Sequence, residues 1–343
     1  MGSVRIFLER ERKAPILLRL ARAGTLAVTA LLLFTFMVPG NLVSEAAAFF
    51  IPQLTAAGFI GLLIWIATAK TLHWIHLIAL IGLIISSYWM VTSVRQVVQP
   101  ATISSTQEGG TTFSVMSLNL LHMGFDAEAL KQLIEKRQPD LITFQETASA
   151  TPRLKAFLTE HYQHTILPPD KHDTDITLFS KFPIKDAERI VVPGLKEGPH
   201  IPREFLSAQI DINGTPVQIY AIHPASPRGP NRLEGRTRYL DHVRDLIKSQ
   251  DKTVPIIIQG DWNTPVWSQT FQSFLTELNL KTAFTSFLPR TTRYFIHPSF
   301  EVMLGSKVDH IASSEEILIK EHFIAENVGS DHFPIFATLH ILP

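Results

Sequence analysis

The sequence contains no cysteine, which removes disulfides, thiolate metal sites and a cysteine nucleophile from consideration together. Such a chain tolerates an oxidising compartment but does not require one. Net charge is also missing: 31 Lys and Arg balance 31 Asp and Glu. Nothing therefore draws the whole molecule toward a polyanion, and any binding to nucleic acid has to be local. Between Ala23 and Thr92 charge itself is scarce, with Glu45 and Lys70 the exceptions. No internal repeat is visible.

That uncharged region follows a basic segment holding Arg5, Arg10, Arg12, Lys13, Arg19 and Arg22. Spanning a bilayer takes roughly 17 to 25 mostly apolar residues. Ala23 to Val38, Ala46 to Ala69 and Trp74 to Val91 are the expected transmembrane helices, the first slightly short, making a lipid bilayer the first expected partner. Basic flanks stay on the cytoplasmic side. The expectation is a multi-pass protein of the cytoplasmic (inner) membrane with everything after about Arg95 extracytoplasmic. A cleaved signal peptide ending near Ala46 to Ala48 leads to the same side, whereas a two-span arrangement reverses it. The spans hold no carboxylate except Glu45 at a loop, so no ion pathway is evident. The expected organisation is an anchor over residues 1–95, a polar linker over 96–112 and a domain over 113–343.

Within the domain, Phe113 to Asn119 alternates as a strand, Asp126 caps a helix running to Arg137, and Leu141 to Phe144 reads as a buried strand leading to Gln145-Glu146. Strand, helix and strand in that order make a βαβ-like unit and an α/β fold. Arg153 to His161 reads as a helix and Ile176 to Ser180 as a strand. Phe205 to Ile212, Asn213-Gly214 and Pro216 to Ile222 specify a hairpin with a two-residue turn. A basic loop with Arg228, Arg232, Arg236 and Arg238 then merges into a helix. In Pro255 to Pro265, three isoleucines run through Gln259 and Gly260 to Asp261 and Asn263, with Trp262 directed the other way. A buried strand ending in glycine and a carboxylate delivers polar atoms to a sheet rim. An Asx turn closing a strand is the plain alternative.

Polar residues recur at strand ends: Asn119, Glu146, His223, Asp261 with Asn263, Asp309, and Asp331 with His332. Each alone is weak, but together they describe one assembled site. Carboxylates and amide oxygens without thiolates suit a hard cation such as Mg²⁺ or Mn²⁺. The histidines supply groups that move protons near neutral pH.

The segments Ser117-Leu118-Asn119-Leu120, Phe144-Gln145-Glu146-Thr147, Ala221-Ile222-His223-Pro224, Gly260-Asp261-Trp262-Asn263, Lys307-Val308-Asp309-His310-Ile311 and Gly329-Ser330-Asp331-His332-Phe333-Pro334 closely resemble, in this order, the endonuclease/exonuclease/phosphatase superfamily. The resemblance covers Phe113 to the end, and the membrane-anchored arrangement looks most like its bacterial YafD-type branch. It implies a four-layer α/β sandwich of two packed mixed sheets. It further implies Glu146 as the principal Mg²⁺ ligand with Asn119 beside it, and Asp331 completing the metal site. Asp261 and Asn263 would bind the attacking water and a phosphate oxygen. His332, oriented by Asp309, would contact the scissile phosphate or act as base, and His223 would bond the phosphate or leaving group. Division of base duty between Asp261 and His332 stays open.

Two features depart from the abasic-site endonucleases of that superfamily: the strand Ile176 to Ser180 offers Thr177 but no tyrosine, and extended basic surface is lacking. Arg203-Glu204 reads as an exposed salt bridge, or as an extra acid. Arg228 and Arg232 are candidates for holding an anionic substrate, or a solvated helix start. Ser226 and Ser330 read as loop residues. The implied activity is hydrolysis of a phosphodiester or phosphomonoester, either of a lipid headgroup or of nucleic acid. A nuclease has the near-neutral charge against it, and a catalytically idle binding module would show a missing ligand.

Overall fold

The computed structural model describes residues 15–69, 72–99, 109–147, 150–167, 175–196, 202–251, 253–283 and 291–343. Contacts divide the chain into two units, Met1–Ser93 and Val94–Pro343.

The first unit is helical: α1 (Ile16–Met37), α2 (Leu42–Ala48), α3 (Ile51–Thr68) and α4 (Trp74–Val97), whose last turn passes into the second unit. Helices α1, α3 and α4, of 22, 18 and 24 residues, are long and apolar enough to cross a membrane. The first is thus longer than its expected span and the second shorter. Asn41 accepts from the backbone N–H groups of Val43 and Ser44 and opens the separate helix α2. Pro52, within the first turn of α3, then makes Ile51 a new start. Thr25, Thr29 and Thr35 each donate to the carbonyl four residues earlier, which satisfies their hydroxyls within the helix.

The second unit holds two six-stranded sheets. One contains β1 (Thr111–Asn119), β2 (Leu141–Gln145), β3 (His164–Ile166), β4 (Ile176–Ser180), β13 (Ile317–Ile324) and β14 (Ile335–Ile341), ordered β13-β14-β1-β2-β4-β3. The other contains β5 (Ile184–Lys196), β6 (Pro202–Ile212), β7 (Thr215–Ile222), β8 (Ile256–Asp261), β9 (Lys281–Thr282) and β12 (Asp309–Ser313), ordered β5-β6-β7-β8-β12-β9. Two short strands, β10 (Arg293–Tyr294) and β11 (Gly305–Ser306), pair separately. The hairpin β6–β7 turns on Asn213 (φ 53) and Gly214 (φ 94), the backbone that Asn-Gly adopts at least cost.

Each sheet has one parallel pair, β1–β2 and β7–β8. A helix joins each pair, α5 (Ala127–Arg137) in the first and α7 (Pro230–Ser249) in the second. Val115, Leu141 and Leu178 of one sheet meet Leu206, Ile219, Ile257 and Ile311 of the other in a common core. On the far side of the first sheet, Leu130 and Leu133 of α5 and Leu154 and Leu158 of α6 (Thr151–Leu158) pack on Met116, Leu118, Ile142 and Phe144. On the far side of the second, α7 buries Tyr239 against Phe205, and α8 (Gln269–Glu277) sets Phe271 and Phe274 edge-on to Trp262. Helix, sheet, sheet, helix: the fold is the four-layer α/β sandwich.

Of the expected linker, residues 100–108 lie outside the described residues. Before them, Val98 pairs in parallel with Thr282, and Gln99 donates to the Ile317 carbonyl while accepting from the Ile319 amide. After them, β1 opens at Thr111. The basic loop is helical from Pro230, so Arg232, Arg236 and Arg238 lie on α7.

Candidate active site

Topology brings the polar strand ends to one rim. The two parallel pairs end together: Asn119 closes β1, Glu146 follows β2, His223 follows β7 and Asp261 closes β8. Carboxyl ends of parallel strands are where α/β sheets offer ligand sites. Strands running the other way start there. Asp309 opens β12 opposite Asp261, and Asp331 and His332 lead into β14 beside the end of β1. Asp175 leads into β4 opposite the end of β2.

Asn119 ties the two sheets together, its Nδ2 donating to Glu146 Oε1 at 3.0 Å and to Asp261 Oδ2 at 3.1 Å. Asp261 also accepts from Asn263, at Oδ1 from the backbone N–H (2.8 Å) and at Oδ2 from Nδ2 (2.9 Å). Two His–Asp pairs flank it. His332 Nδ1 donates to Asp309 at 2.9 Å while its Nε2 lies 3.6 Å from Asp261 Oδ2. His223 Nδ1 bonds Asp175 while its Nε2 lies 3.5 Å from the same Asp261 oxygen. Both imidazoles thus present their second nitrogen to one carboxylate oxygen.

Electrostatics follow from that geometry. Burial by itself would disfavour charge on both imidazoles. The carboxylates of Asp175 and Asp261 outweigh it for His223, as those of Asp309 and Asp261 do for His332, and both pKa values are raised. For Asp261 burial pushes upward, but His332, His223 and Arg293 together hold it well below the usual carboxylate range. Asp309 goes the other way, lifted by burial and by the neighbouring Asp261 charge against the pull of His332.

Residues 116–332 match the model of the Endonuclease/Exonuclease/phosphatase family. The chain belongs to this family. All three activities in that name hydrolyse phosphoester bonds, and the chain is a hydrolase of that class. No curated protein sequence matches it. Among solved structures, a family protein of Bacteroides thetaiotaomicron is similar at TM-score 0.54 and 19% identity, over 68% of this chain and 99% of that one. Sphingomyelinase C of Streptomyces griseocarneus is similar at TM-score 0.51 and 15% identity, over 66% and 99%. A mannosyl-6-phosphatase of Bacteroides thetaiotaomicron gives TM-score 0.51 and 19% identity, over 66% and 99%. At such identities the likeness is one of fold.

Family enzymes generally use a divalent metal, and the donor set here fits one. Asp261, Asp309 and His332 hold ligand atoms within 4.8 Å of one another. Nδ1 of His332, however, is already committed to Asp309, so this trio is an oriented imidazole before it is a metal cage. The carboxylates that reach solvent are Glu146 and Asp331, with side chains 18% and 20% exposed. Asp331 Oδ1 is buried and accepts no hydrogen bond, with His332 Nε2 3.9 Å away. An anionic oxygen in that state is costly unless a positive group faces it, and an oxygen-rich set suits a hard cation.

Arg228 and Arg232 are exposed, and among the described residues their side chains make no bond to the cluster. Arg236 is fully buried and donates to the Asn263 carbonyl, and Arg238 donates to the Pro193 carbonyl. Arg203 and Glu204 are buried, which corrects the exposed pair. Arg203 donates to the His223 carbonyl, and Glu204 pairs with Arg189 at 2.6 Å.

Several site residues escape sequence reasoning. Asp175 is one; the available signal was a carboxylate directly before a buried strand antiparallel to the one ending in Gln145-Glu146. It also accepts from the Glu146 N–H at 3.2 Å, supporting Glu146 in its left-handed backbone (φ 55). Arg293 bonds Asn263 Oδ1 and Asp331 Oδ2 at 3.3 and 3.1 Å, and nothing local announced it. His122 Nε2 lies 3.4 Å from Glu146 Oε2. Ser330 is a loop residue, yet its hydroxyl donates to the Asn119 carbonyl and accepts from the His332 N–H, joining two site strands.

Proposed function

We propose that this protein is a membrane-tethered, Mg²⁺- or Mn²⁺-dependent hydrolase of amphiphilic phosphoesters, a lipid-linked phosphate being the substrate class. The observation that carries the chemistry is the convergence of His223 and His332 on one oxygen of Asp261, each imidazole backed by its own carboxylate. Held charged, the two imidazoles donate to phosphoryl or leaving-group oxygens, and a protonated imidazole is the natural acid for a departing alkoxide. Asp261 stays ionised and, with Asn263, accepts from and orients the attacking water. Asp309 and Asp175 fix which imidazole nitrogen faces the substrate. Asn119, Glu146 and Asp331 would hold the cation, which when bound would offset charge on the phosphoryl oxygens.

The substrate class rests on two apolar loops that leave this rim. Leu121 and Met123 follow Asn119, and Phe295, Ile296, Phe300, Val302 and Met303 follow Arg293; all are exposed. An apolar rim beside a polar site suits a substrate with an apolar part. Helices α1, α3 and α4 supply the membrane tether, and the basic segment before them supports a cytoplasmic-membrane protein with its hydrolase domain extracytoplasmic. A C-terminal alkaline phosphatase fusion that stayed inactive in bacteria would overturn that side.

The full-length chain in detergent, with Mg²⁺, is offered phospholipid and sphingolipid vesicles, supercoiled plasmid and a soluble phosphate ester in parallel. His332→Ala and Glu146→Ala serve as blanks. Headgroup release that both variants abolish is the expected result. Plasmid cutting without headgroup release would instead make the protein a nuclease, with Arg228 and Arg232 as candidates for backbone contact. Turnover of the soluble ester alone removes the lipid reading.

A further inference from the structure

A guanidinium stands inside the carboxylate cluster. Arg293 leaves the short strand β10, which bridges to His332, and its side chain is 10% exposed. Nη1 donates to Asn263 Oδ1 and Nη2 to Asp331 Oδ2, while the ring of Phe295 lies 5.4 Å from the guanidinium carbon. A second hard cation in this cluster would have to draw its several oxygen ligands from the side chains around Asp261. Arg293 already holds an oxygen of Asn263 and an oxygen of Asp331.

Resting on the metal-dependent reading above, we infer that Arg293 is a built-in second cation: it takes the position of a second divalent ion and restricts the site to one. Unlike an ion, the guanidinium cannot be diluted away, and it is planar and permanently charged, so it can bridge two oxygen acceptors in fixed geometry. The oxygen of Asp331 that Arg293 leaves free is Oδ1, which accepts no hydrogen bond and lies 3.9 Å from His332 Nε2, and it remains for the single ion. Arg293 is therefore a positioning residue for the metal site.

The test counts ions directly. Full-length protein in detergent is titrated with Mn²⁺ and followed by calorimetry and by the electron paramagnetic resonance of bound Mn²⁺, in which two adjacent ions show spin coupling. Wild type is expected to bind one ion in the site, without coupling. Arg293→Met and Arg293→Gln, which remove the charge and keep similar bulk, are expected to bind two with coupling, and Arg293→Lys to return to one. Near-UV circular dichroism identifies variants that keep the native fold, and either neutral variant suffices. Two coupled ions in wild type, or one ion in a folded neutral variant, overturns the inference and leaves the metal-dependent reading standing. No ion bound by wild type overturns both.

Discussion

Replacing Asp175 with Asn removes a carboxylate that no motif announced, and its consequences can be worked out from the contacts. Asp175 lies against Nδ1 of His223 in a fully buried pair, with Arg203 nearby and the Glu146 N–H on its other oxygen. Asn keeps the volume and an acceptor oxygen but not the charge. A hydrogen bond to a charged group contributes about 1.5–3 kcal/mol, and that is the expected loss of stability near neutral pH. The pH dependence carries the sharper test. His223 has a folded pKa above its usual 6.5, so its contribution is complete below that value and is lost as pH rises through the folded pKa. Asp175 is held below its usual 3.8, so its contribution is present above that value and is lost as pH falls through the folded pKa. The stability gap between wild type and Asp175→Asn is therefore widest between about pH 4 and about pH 6.5, narrowing as pH rises from there through the folded His223 pKa and as pH falls through the folded Asp175 pKa. Catalysis should fall about 100-fold or more in kcat with little change in KM, and the alkaline limb of the pH–rate profile should move to lower pH, because the imidazole loses the charge that kept it protonated. Urea unfolding from pH 4 to 9 and a pH–rate series check both. A stability gap independent of pH, or an unmoved alkaline limb, refutes the pairing of Asp175 with a charged His223.

Other consequences follow from single contacts. At Gly260 (φ +144) a Cβ would lie 2.1 Å from the Ile222 carbonyl oxygen, so Gly260→Ala should cost about 3 kcal/mol in strain and displaced backbone. It should also abolish activity by shifting Asp261; a melting curve and an activity assay read the two effects. His310, buried between Trp262 and Phe271 with its pKa pushed down to about 3 by burial, stays neutral while the unfolded chain takes up a proton below about 6.5. Stability therefore falls on acidification by about 1.4 kcal/mol per pH unit from this group, and His310→Gln should flatten that slope in urea titrations between pH 6 and 4. Ile296→Ser with Met303→Ser, at positions 72% and 67% exposed, should lower vesicle hydrolysis several-fold and leave turnover of a soluble ester unchanged.

Much of the fold was legible because it is written in short-range terms. Asp126 caps α5 by accepting from Glu128 and Ala129, Asn213-Gly214 turns the hairpin, and apolar runs mark the strands that both sheets bury. Helix boundaries in the apolar unit were less legible, since a hydropathy pattern does not register the restart at Ile51-Pro52.

What the sequence by itself determined is the chemistry on offer: carboxylates, amides and histidines at strand ends, no thiol, and three apolar helices. Each strand end carries its residue whatever the rest of the chain does. Only the tertiary structure decided which of these groups meet. Two parallel pairs in separate sheets end at one rim, and the strands antiparallel to them start there, so Asp175 reaches His223 across 48 positions and Arg293 reaches Asp331 across 38. Partners that distant in sequence leave no local pattern, because hydrogen bonding and charge depend on separation in space, which the packing of the two sheets sets.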